Sequence, residues 1–249
     1  MSDFQIFTEK EIAALREGGK ILRECLQRVA GMVRPGVKTV TLDQEAQRFI
    51  LSHSGALPGF KGYHGYPATL CTSVNDECVH GIPSERILKE GDIVSLDCGV
   101  LYHNLYTDAC VTVAVGNVAP QARSLMEKTS QALASAISAA RAGAKVGDLS
   151  AVIEEMAKSG GFTPVRFLTG HGLGSNLHQF PDIPNSGKAG TGPILPVSTI
   201  IAVEPIICAG NGAISEKDDG WTIVTDDGSI CAHEEHTLLI LPTGCEILT

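Results

Sequence analysis

The sequence predicts an α+β fold built from two halves of the same organisation, in which helix pairs cover one face of a shared, curved antiparallel sheet. Three observations predict this fold. Helical periodicity occurs in two separate stretches, β-rich segments follow each stretch, and the turn within each helix pair has a similar sequence. The turn at residues 34–38 aligns with the turn at residues 141–145, an offset of 107 positions that indicates an internal repeat.

Four helices are predicted from apolar periodicity and capping residues. Thr8–Glu11 has the spacing of a capping box, and the helix behind it continues until Pro35-Gly36. A second capping-box spacing, Thr41–Gln44, predicts the start of the next helix, which ends near Ser54-Gly55. The helices predicted for the second half are Pro120 to Ala142 and Asp148 to Ser159.

The β-rich segments follow each helix pair, so helices and strands are segregated along the chain. The predicted segments are Ala68 to Cys71, Ile93 to Val115, Ile200 to Ile207, Trp221 to Thr225 and His236 to Leu241. If both helix pairs pack on one face of the sheet, the other face is left for a functional site.

Composition narrows the range of functions. A hydrophobic content of 43% with 19% charged residues is ordinary for one globular domain, and we expect residues 1–249 to form it, with a short extension at residues 1–7. The N-terminus lacks an uninterrupted apolar segment and the eight cysteines lack paired spacing, so we expect a cytoplasmic protein with reduced thiols and no membrane contact. A net charge of −9 argues against a sequence-specific nucleic-acid surface.

Two aspartates lie on either side of a predicted β-turn. The segment 91–116 predicts a hairpin whose turn lies near Tyr102-His103-Asn104. A turn centred between Tyr102 and His103 would define one register. In that register Asp97 and Asp108 face each other, with Cβ atoms roughly 4.5–5.5 Å apart. Like charges on otherwise apolar strands repel each other, and a divalent cation between them would remove the repulsion. Solvent-facing aspartates are the alternative, and a bulge would change the register.

Three further residues are candidates for the same site. Glu204 interrupts the apolar run 199–207 and Glu235 precedes the apolar run 236–241, where an unpartnered carboxylate is costly to bury. His171 lies between two glycines, which let the backbone approach closely and leave the imidazole accessible to a metal. Each feature also has an ordinary explanation, an edge-strand charge for each glutamate and a turn residue for the histidine.

Together the five residues favour a metal site over these separate explanations. Four carboxylates and one imidazole, without a set of thiolates, are typical of hard or borderline divalent ions and not of a cysteine-based structural zinc. The four negative charges match two divalent cations. We therefore expect a two-metal site composed of Asp97, Asp108, His171, Glu204 and Glu235.

Five short motifs carry a resemblance to a known family. They are Tyr63-His64-Gly65-Tyr66-Pro67, the segment from Ser73 to Pro83, Gly170-His171-Gly172, Val203-Glu204-Pro205 and Glu235-His236-Thr237. Their order and spacing, from about residue 8 to the C-terminus, resemble those of type I methionine aminopeptidases. The resemblance implies the pita-bread fold, with two pseudo-symmetric ααβ halves around a curved antiparallel sheet, and removal of the N-terminal methionine from nascent polypeptides.

The resemblance also implies how the metal ligands are arranged. Asp108 and Glu235 would bridge two divalent ions, which could be Co, Mn, Fe, Zn or Ni. Asp97 would complete the shell of one ion, and His171 and Glu204 that of the other. A monomer that associates transiently with the ribosome would be consistent with such an activity.

The same resemblance implies catalytic and substrate-binding residues. His80 would bind the scissile amide nitrogen, His178 would stabilise the developing oxyanion, and Glu204 would carry the proton. The implied substrate-binding residues are Phe60, Tyr63, Tyr66, Cys71, His80, Leu177, His178 and Trp221. Taken singly, several of these positions are equally well explained by core packing.

Some residues depart from the family pattern, and they lie next to expected ligands or to His178. They are Ser95, Gly99, Tyr106, Thr107 and Gln179. We expect them to tune metal preference and rate, since neighbours of ligands orient those ligands. The residues beside Asp97 and Asp108 resemble those of the related proline-specific peptidases, so an Xaa-Pro-type aminopeptidase is one alternative. A scaffold protein of the same fold that has lost its metals is the other.

Overall fold

The computed structural model describes residues 3–249 and confirms the α+β fold. The helices are α1 (Glu9–Ala30), α2 (Thr39–Leu51), α3 (Pro120–Ala139) and α4 (Val146–Ser159). The strands of the first half are β1 (Ala56–Pro58), β2 (Leu70–Val74), β3 (Glu77–Val79), β4 (Ile93–Tyr102) and β5 (Leu105–Ala114). Those of the second half are β6 (Thr163–Pro164), β7 (Thr169–Gly172), β8 (Gln179–Pro184), β9 (Ile200–Val203), β10 (Ile206–Cys208), β11 (Ile214–Glu216), β12 (Ile223–Thr225), β13 (Cys231–His233), β14 (Glu235–Ile240) and β15 (Cys245–Ile247).

One large sheet joins the two halves. Nine strands form it, in the order β1-β4-β5-β14-β9-β7-β8, with β2 paired to β4 and β15 paired to β14. The junction between the halves is the antiparallel pair β5–β14. Two three-stranded sheets, β13-β10-β6 and β11-β12-β3, complete the β structure of the described residues 3–249.

The internal repeat is visible in the backbone pairing. Lys38 forms an isolated antiparallel bridge with Ile87, and Lys145 forms the same bridge with Ile194. Both members of the second bridge lie 107 positions after those of the first, and α2 and α4 each begin at the residue after the bridged lysine. The sequence offset therefore corresponds to a real structural repeat.

Successive side chains of β4 point alternately to the helical core and to the site. Leu96 and Cys98 are fully buried in a core cluster that includes Leu22 of α1 and Leu42 of α2. Asp97, between them, lines a cavity on the other side of the sheet, because successive strand residues point to opposite faces. The helices thus lie on one face and the polar side chains gather on the other, as predicted.

The first helix begins as predicted but ends earlier. Thr8 and Glu11 form the capping box, with the Thr8 amide donating to Glu11 Oε2 at 2.8 Å. The predicted continuation to Pro35-Gly36 is wrong, because α1 ends at Ala30. The end coincides with Gly31, a poor helix former, after which the amide of Met32 bonds only three residues back.

The predicted capping box at Thr41–Gln44 is also wrong. The N-cap is Lys38, three residues before Thr41, so the helix begins at Thr39, and the side chain of Lys38 makes no capping hydrogen bond. The bridge between Lys38 and Ile87 places the start, since the chain turns into the helix directly after it.

The segment before α1 packs against the second half of the chain. The amide of Phe7 donates to the carbonyl of Ser198 at 2.9 Å, and the ring of Phe4 meets that of Phe180 edge-on with centroids 4.8 Å apart. Residues 1–2 of the predicted extension 1–7 lie outside the described residues. Of the helices in residues 3–249, none has the length and apolar character needed to cross a bilayer.

The hairpin that carries the two aspartates has a different register from the predicted one. Tyr102 pairs with Leu105, so the turn consists of His103 and Asn104. Both have positive φ, 49° and 62°, as in the type I′ turns that suit the twist of a hairpin. Asp97 therefore pairs with Cys110, and Asp108 with Gly99.

The two aspartates are consequently diagonal neighbours and not directly opposite. The observed turn residues lie within the predicted turn, but the turn centre lies one position later than the centre that would place the two aspartates opposite each other. This difference moves the pairing register by two positions. A shift of two preserves the face of every side chain, since the strand period is two. Asp97 and Asp108 still share the face that the prediction gave them, at the larger separation of a diagonal pair, roughly 7–8 Å.

The turn can be tested at Asn104, which is exposed and has φ of 62°. We expect Asn104→Val to lower the free energy of unfolding by about 1 kcal/mol, because a β-branched residue is strained in the left-handed region. Asn104→Gly, the matched control, should not destabilise the protein. Urea unfolding of both variants measures the difference, and equal stability of the two would contradict the turn assignment.

Candidate metal centre

Five neighbouring strands of the large sheet each deliver one acidic or imidazole side chain to the same place. In the sheet order β4, β5, β14, β9 and β7, these are Asp97, Asp108, Glu235, Glu204 and His171, with Glu204 directly after β9. Ligand atoms of Asp108, His171 and Glu235 all lie within 4.8 Å of one another. His171 Nε2 is 3.5 Å from Glu204 Oε1. Together with Asp97, all line one cavity, so the structure brings together the five predicted ligands.

The pairing register of the strands sets the positions of these side chains along the strand direction. Cys110 on β5 pairs with Asp97 on one side and with Glu235 on the other, so the two carboxylates lie at the same height along the sheet. Thr237 binds the main chain of Asp108 twice: its hydroxyl donates to the Asp108 carbonyl at 2.7 Å and accepts from the Asp108 amide at 2.8 Å. These bonds hold the ligands of the two halves in register.

The carboxylates are costly to ionise in this environment. Burial raises the pKa of Asp97 to about 7. Burial, followed by repulsion from Asp97 and Glu204, raises the pKa of Asp108 well above its ordinary range. The pKa values of Glu204 and Glu235 are raised for the same reasons, burial first and neighbouring carboxylates second. Within residues 3–249, the side chains that line the cavity include no lysine or arginine to offset this charge.

Several ligand oxygens have no partner within the described part of the chain. Asp97 Oδ1, Asp108 Oδ1 and Glu235 Oε1 are buried and make no hydrogen bond. An unsatisfied buried acceptor costs about 1–3 kcal/mol, and more when it is charged. Divalent cations would satisfy these oxygens and neutralise the repulsion at once. The residues therefore fit a divalent-metal site.

His171 is prepared to act as a metal ligand. Its Nδ1 lies 3.0 Å from the carbonyl of Gly172, so the ring proton resides on Nδ1 and the lone pair of Nε2 faces the carboxylates. Burial, with a smaller contribution from His178, lowers the pKa of His171 to about 3. The imidazole is thus neutral, as a metal ligand must be.

The glycines beside His171 are required by strand packing. A Cβ at Gly170 would lie 2.5 Å from the carbonyl oxygen of Ala202, and a Cβ at Gly172 would lie 2.1 Å from that of Phe180. Both separations are far below a normal contact. The glycines therefore let β7 approach its neighbours closely enough to bring the imidazole to the carboxylates.

The cavity extends from the carboxylates into an apolar region. It has a volume of about 200 Å³, and all eight predicted substrate-binding residues line it. Tyr66 and Trp221 meet edge-on with ring centroids 5.0 Å apart. The hydroxyl of Tyr66 donates to backbone carbonyls, 3.2 Å from that of Leu70 and 3.3 Å from that of Gly81, which fixes the ring. A rigid apolar slot thus adjoins the metal centre.

Two further histidines occupy the cavity where the sequence predicted them. His80 has φ of 58°, in the left-handed region, and its ring centroid is 6.3 Å from that of Trp221. His178 lies with its ring centroid 4.3 Å from that of His171, and its Nδ1 is 3.2 Å from the hydroxyl of Tyr63. Burial, with His178 as a smaller cause, lowers the pKa of His80 to about 4. The unprotonated ring of His80 therefore faces a largely apolar space.

Sequence reasoning missed three residues that line the cavity. These are His64, Val79 and His233. The sequence pattern could have predicted His233, because it lies two positions before Glu235 and side chains two positions apart share a face in an extended chain. The intervening change from β13 to β14 weakens that signal. No comparable pattern points to His64 or Val79.

The residues that depart from the expected family pattern lie outside the cavity, but Gly99 is next to a residue that lines it. A Cβ at Gly99 would lie 2.6 Å from Cε1 of Phe60, so glycine here makes room for that pocket residue. Ser95 Oγ lies 2.9 Å from Thr112 Oγ1. Gln179 donates to the carbonyl of Leu173 at 3.3 Å.

Comparisons with known proteins agree with this geometry. A family model described as Metallopeptidase family M24 matches residues 13–242. A methionine aminopeptidase of Clostridium perfringens is 44% identical over 241 residues, covering 97% of this chain and 96% of the relative. The crystal structure of a methionine aminopeptidase from Thermotoga maritima superposes with a TM-score of 0.97 at 41% identity, covering 99% of each chain.

A more distant structure shares the fold alone. The prolidase from Pyrococcus furiosus superposes with a TM-score of 0.80 at 21% identity, covering 98% of this chain and 65% of the prolidase. The large antiparallel sheet flanked by helix pairs is thus common to both groups of structures.

Metal binding should stabilise the protein measurably. We expect Mn²⁺, added to protein first stripped with a chelator, to raise the thermal midpoint, because a ligand at a hundredfold excess over its Kd adds about 2.7 kcal/mol. In the double variant Asp108→Asn/Glu235→Gln this increase should be lost. Differential scanning calorimetry makes the comparison, and an unchanged midpoint of the unaltered protein would contradict the metal site.

Proposed function

The chain belongs to metallopeptidase family M24, and on that basis we propose that it is a metal-dependent aminopeptidase that removes the N-terminal methionine from nascent polypeptides and peptides. The observation that carries the proposal is a cage of one histidine and four carboxylates opening into a rigid apolar slot. The cage suits hydrolysis of a peptide bond, and the slot suits one apolar side chain.

We propose that the cage holds two divalent ions, drawn from Co, Mn, Fe, Zn and Ni. Four carboxylates balance two such ions, and the mixture of oxygen and nitrogen donors suits all of these metals. Asp108 and Glu235 lie centrally in the sheet order, between Asp97 on one side and Glu204 and His171 on the other, and all five side chains would hold the ions. When bound, the ions supply Lewis-acid activation of water and of the scissile carbonyl.

The side chains of the protein would bind the substrate and move its protons. Glu204 is a carboxylate at the edge of the cage and would carry a proton from water to the leaving amine. His178, anchored to Tyr63, would donate a hydrogen bond to the carbonyl oxygen as negative charge develops there. His80, on the Trp221 side, would bind the scissile amide nitrogen.

The apolar slot favours methionine among the possible first residues. An unbranched thioether fits a narrow slot and gains sulfur–aromatic contacts, here with Tyr63, Tyr66 and Trp221. The thiol of Cys71 remains protonated, because burial raises its pKa well above the ordinary value, so it presents a neutral wall. Phe60 and Leu177 pack in the same apolar cluster as Tyr66 and Cys71 and form the rest of the slot wall.

The two alternative functions receive less support. An Xaa-Pro-type activity is supported by the residues beside Asp97 and Asp108 and by the fold of a prolidase that is 21% identical, whereas the methionine aminopeptidase of Clostridium perfringens is 44% identical over nearly the whole chain. A metal-free scaffold would not need five converging ligands with unpartnered oxygens.

The proposed substrate, a nascent polypeptide, indicates where in the cell the protein acts. We propose that residues 1–249 act as one catalytic domain, in the cytoplasm and as a monomer, where nascent chains are available through transient contact with the ribosome. The net charge of −9 argues against a sequence-specific nucleic-acid partner.

Peptide specificity separates the enzymatic alternatives. We expect the Mn²⁺-loaded protein to release the first residue from a Met-Ala-Ser peptide at least tenfold faster than from an Ala-Pro-Ser peptide, because the slot favours a thioether side chain. Amino-acid analysis of the released residue measures both rates. Preferential cleavage of the Xaa-Pro peptide would refute the proposal.

The ligand assignment is tested by single substitutions. Asp97→Ala and Glu204→Ala should each reduce turnover of the Met-Ala-Ser peptide by at least a hundredfold while leaving the far-ultraviolet circular dichroism unchanged, because each removes a metal-facing carboxylate. Glu127→Ala, at an exposed position of α3, is the control and should retain full activity. Near-normal turnover in both site variants would rule out this metal site.

A further inference from the structure

One buried imidazole at the metal centre has no role in the mechanism above. His233, the last residue of β13, lines the cavity and is only 2% exposed. Neither of its ring nitrogens has a hydrogen-bond partner within the described residues 3–249. A buried imidazole with two unsatisfied nitrogens is costly, so its position requires an explanation.

The distances around His233 suit a shared cation. Its Nε2 lies 3.6 Å from Glu204 Oε2 and 3.9 Å from Glu235 Oε2. Both separations are too long for hydrogen bonds. Two donors that are each about 2.1 Å from one ion lie at most about 4.2 Å apart, and both separations fall within that limit.

The surroundings of His233 repeat those of His171. His171 Nε2 lies 3.5 Å from Glu204 Oε1 and 3.9 Å from Asp108 Oδ2. Glu204 thus has one imidazole beside each of its oxygens, and each imidazole also approaches one of the two central carboxylates. A histidine expected to bind metal and one with no assigned role occupy equivalent positions around the same glutamate.

The backbone of His233 is fixed while its ring is left without a partner. The Thr112 hydroxyl donates to the His233 carbonyl at 2.7 Å and accepts from the His233 amide at 2.9 Å. Because the single hydroxyl proton of Thr112 is used in this way, the contact with Ser95 at 2.9 Å must be donated by Ser95. Cys110 Sγ also donates to the His233 carbonyl, at 3.4 Å. This network holds the residue and directs no donor or acceptor to the imidazole.

We propose that His233 is a sixth metal ligand, which binds through Nε2 the divalent ion that it shares with Glu204 and Glu235. The inference rests on the proposed metal site. It gives the centre a second nitrogen donor beside His171, which strengthens binding of the later first-row metals, Co²⁺, Ni²⁺ and Zn²⁺, relative to Mn²⁺.

Two measurements on the full-length protein test this ligand. The first is calorimetric titration of the chelator-stripped protein with Co²⁺, and the second is electron paramagnetic resonance with Cu²⁺, in which each bound imidazole adds nitrogen couplings. We expect His233→Gln to weaken Co²⁺ binding at one site by at least tenfold and to remove the couplings of one nitrogen. His233→Asn serves as a second variant in case the glutamine variant does not fold.

The matched control is His236→Gln. His236 is a half-buried histidine next to Glu235 in the sequence, but its Nδ1 lies 3.0 Å from Thr249 Oγ1, outside the cavity. This variant should keep both the affinity for Co²⁺ and the nitrogen couplings of the unaltered protein.

The possible outcomes separate the inference from the proposed function. Unchanged affinity and couplings in the His233 variants overturn the sixth ligand while the unaltered protein still binds metal and cleaves peptide. Weaker binding with unchanged couplings also overturns it, because His233 would then act only by orienting Glu204. Failure of the unaltered protein to bind Co²⁺ overturns the metal site itself.

Discussion

Four carboxylates buried on one face of a single sheet are the constraint on which the rest of this structure depends. Burial and mutual repulsion raise their pKa values, and no lysine or arginine among the described residues lines the cavity to offset them. At neutral pH a bound cation neutralises such a cluster without protonating its carboxylates, so its presence is itself an argument for metal. The fold must hold these side chains close together against their repulsion when the metal is absent.

The repeated architecture meets this requirement by dividing the ligands between its halves. Asp97 and Asp108 come from the hairpin of the first half, and the remaining three ligands come from the second half. The halves meet where β5 pairs with β14, and Thr237 binds the main chain of Asp108 across this junction. The site therefore exists only when the sheet is continuous, which couples assembly of the fold to assembly of the metal centre.

The apolar slot adjoins the metal centre, and several of its residues are positioned by the same sheet. Gly99, level with Asp108 on the neighbouring strand, leaves the space that the ring of Phe60 fills. Cys71 pairs with Asp97 on the next strand, so a slot residue and a ligand occupy one row of the sheet. Substrate binding and metal binding are thus linked by strand register, and a change in one strand would alter both.

The sequence by itself determined the α+β class and the internal repeat, and it pointed to the five side chains that line the candidate metal centre, because acidic residues within apolar strands are costly to bury and a glycine-flanked histidine is visible along the chain. It did not determine the hairpin register, since a turn of His103 and Asn104 with positive φ carries a weak signal without glycine. It also missed His233. Only the tertiary structure placed that imidazole beside Glu204, because the distance between two short strands depends on the packing of both halves and not on local pattern.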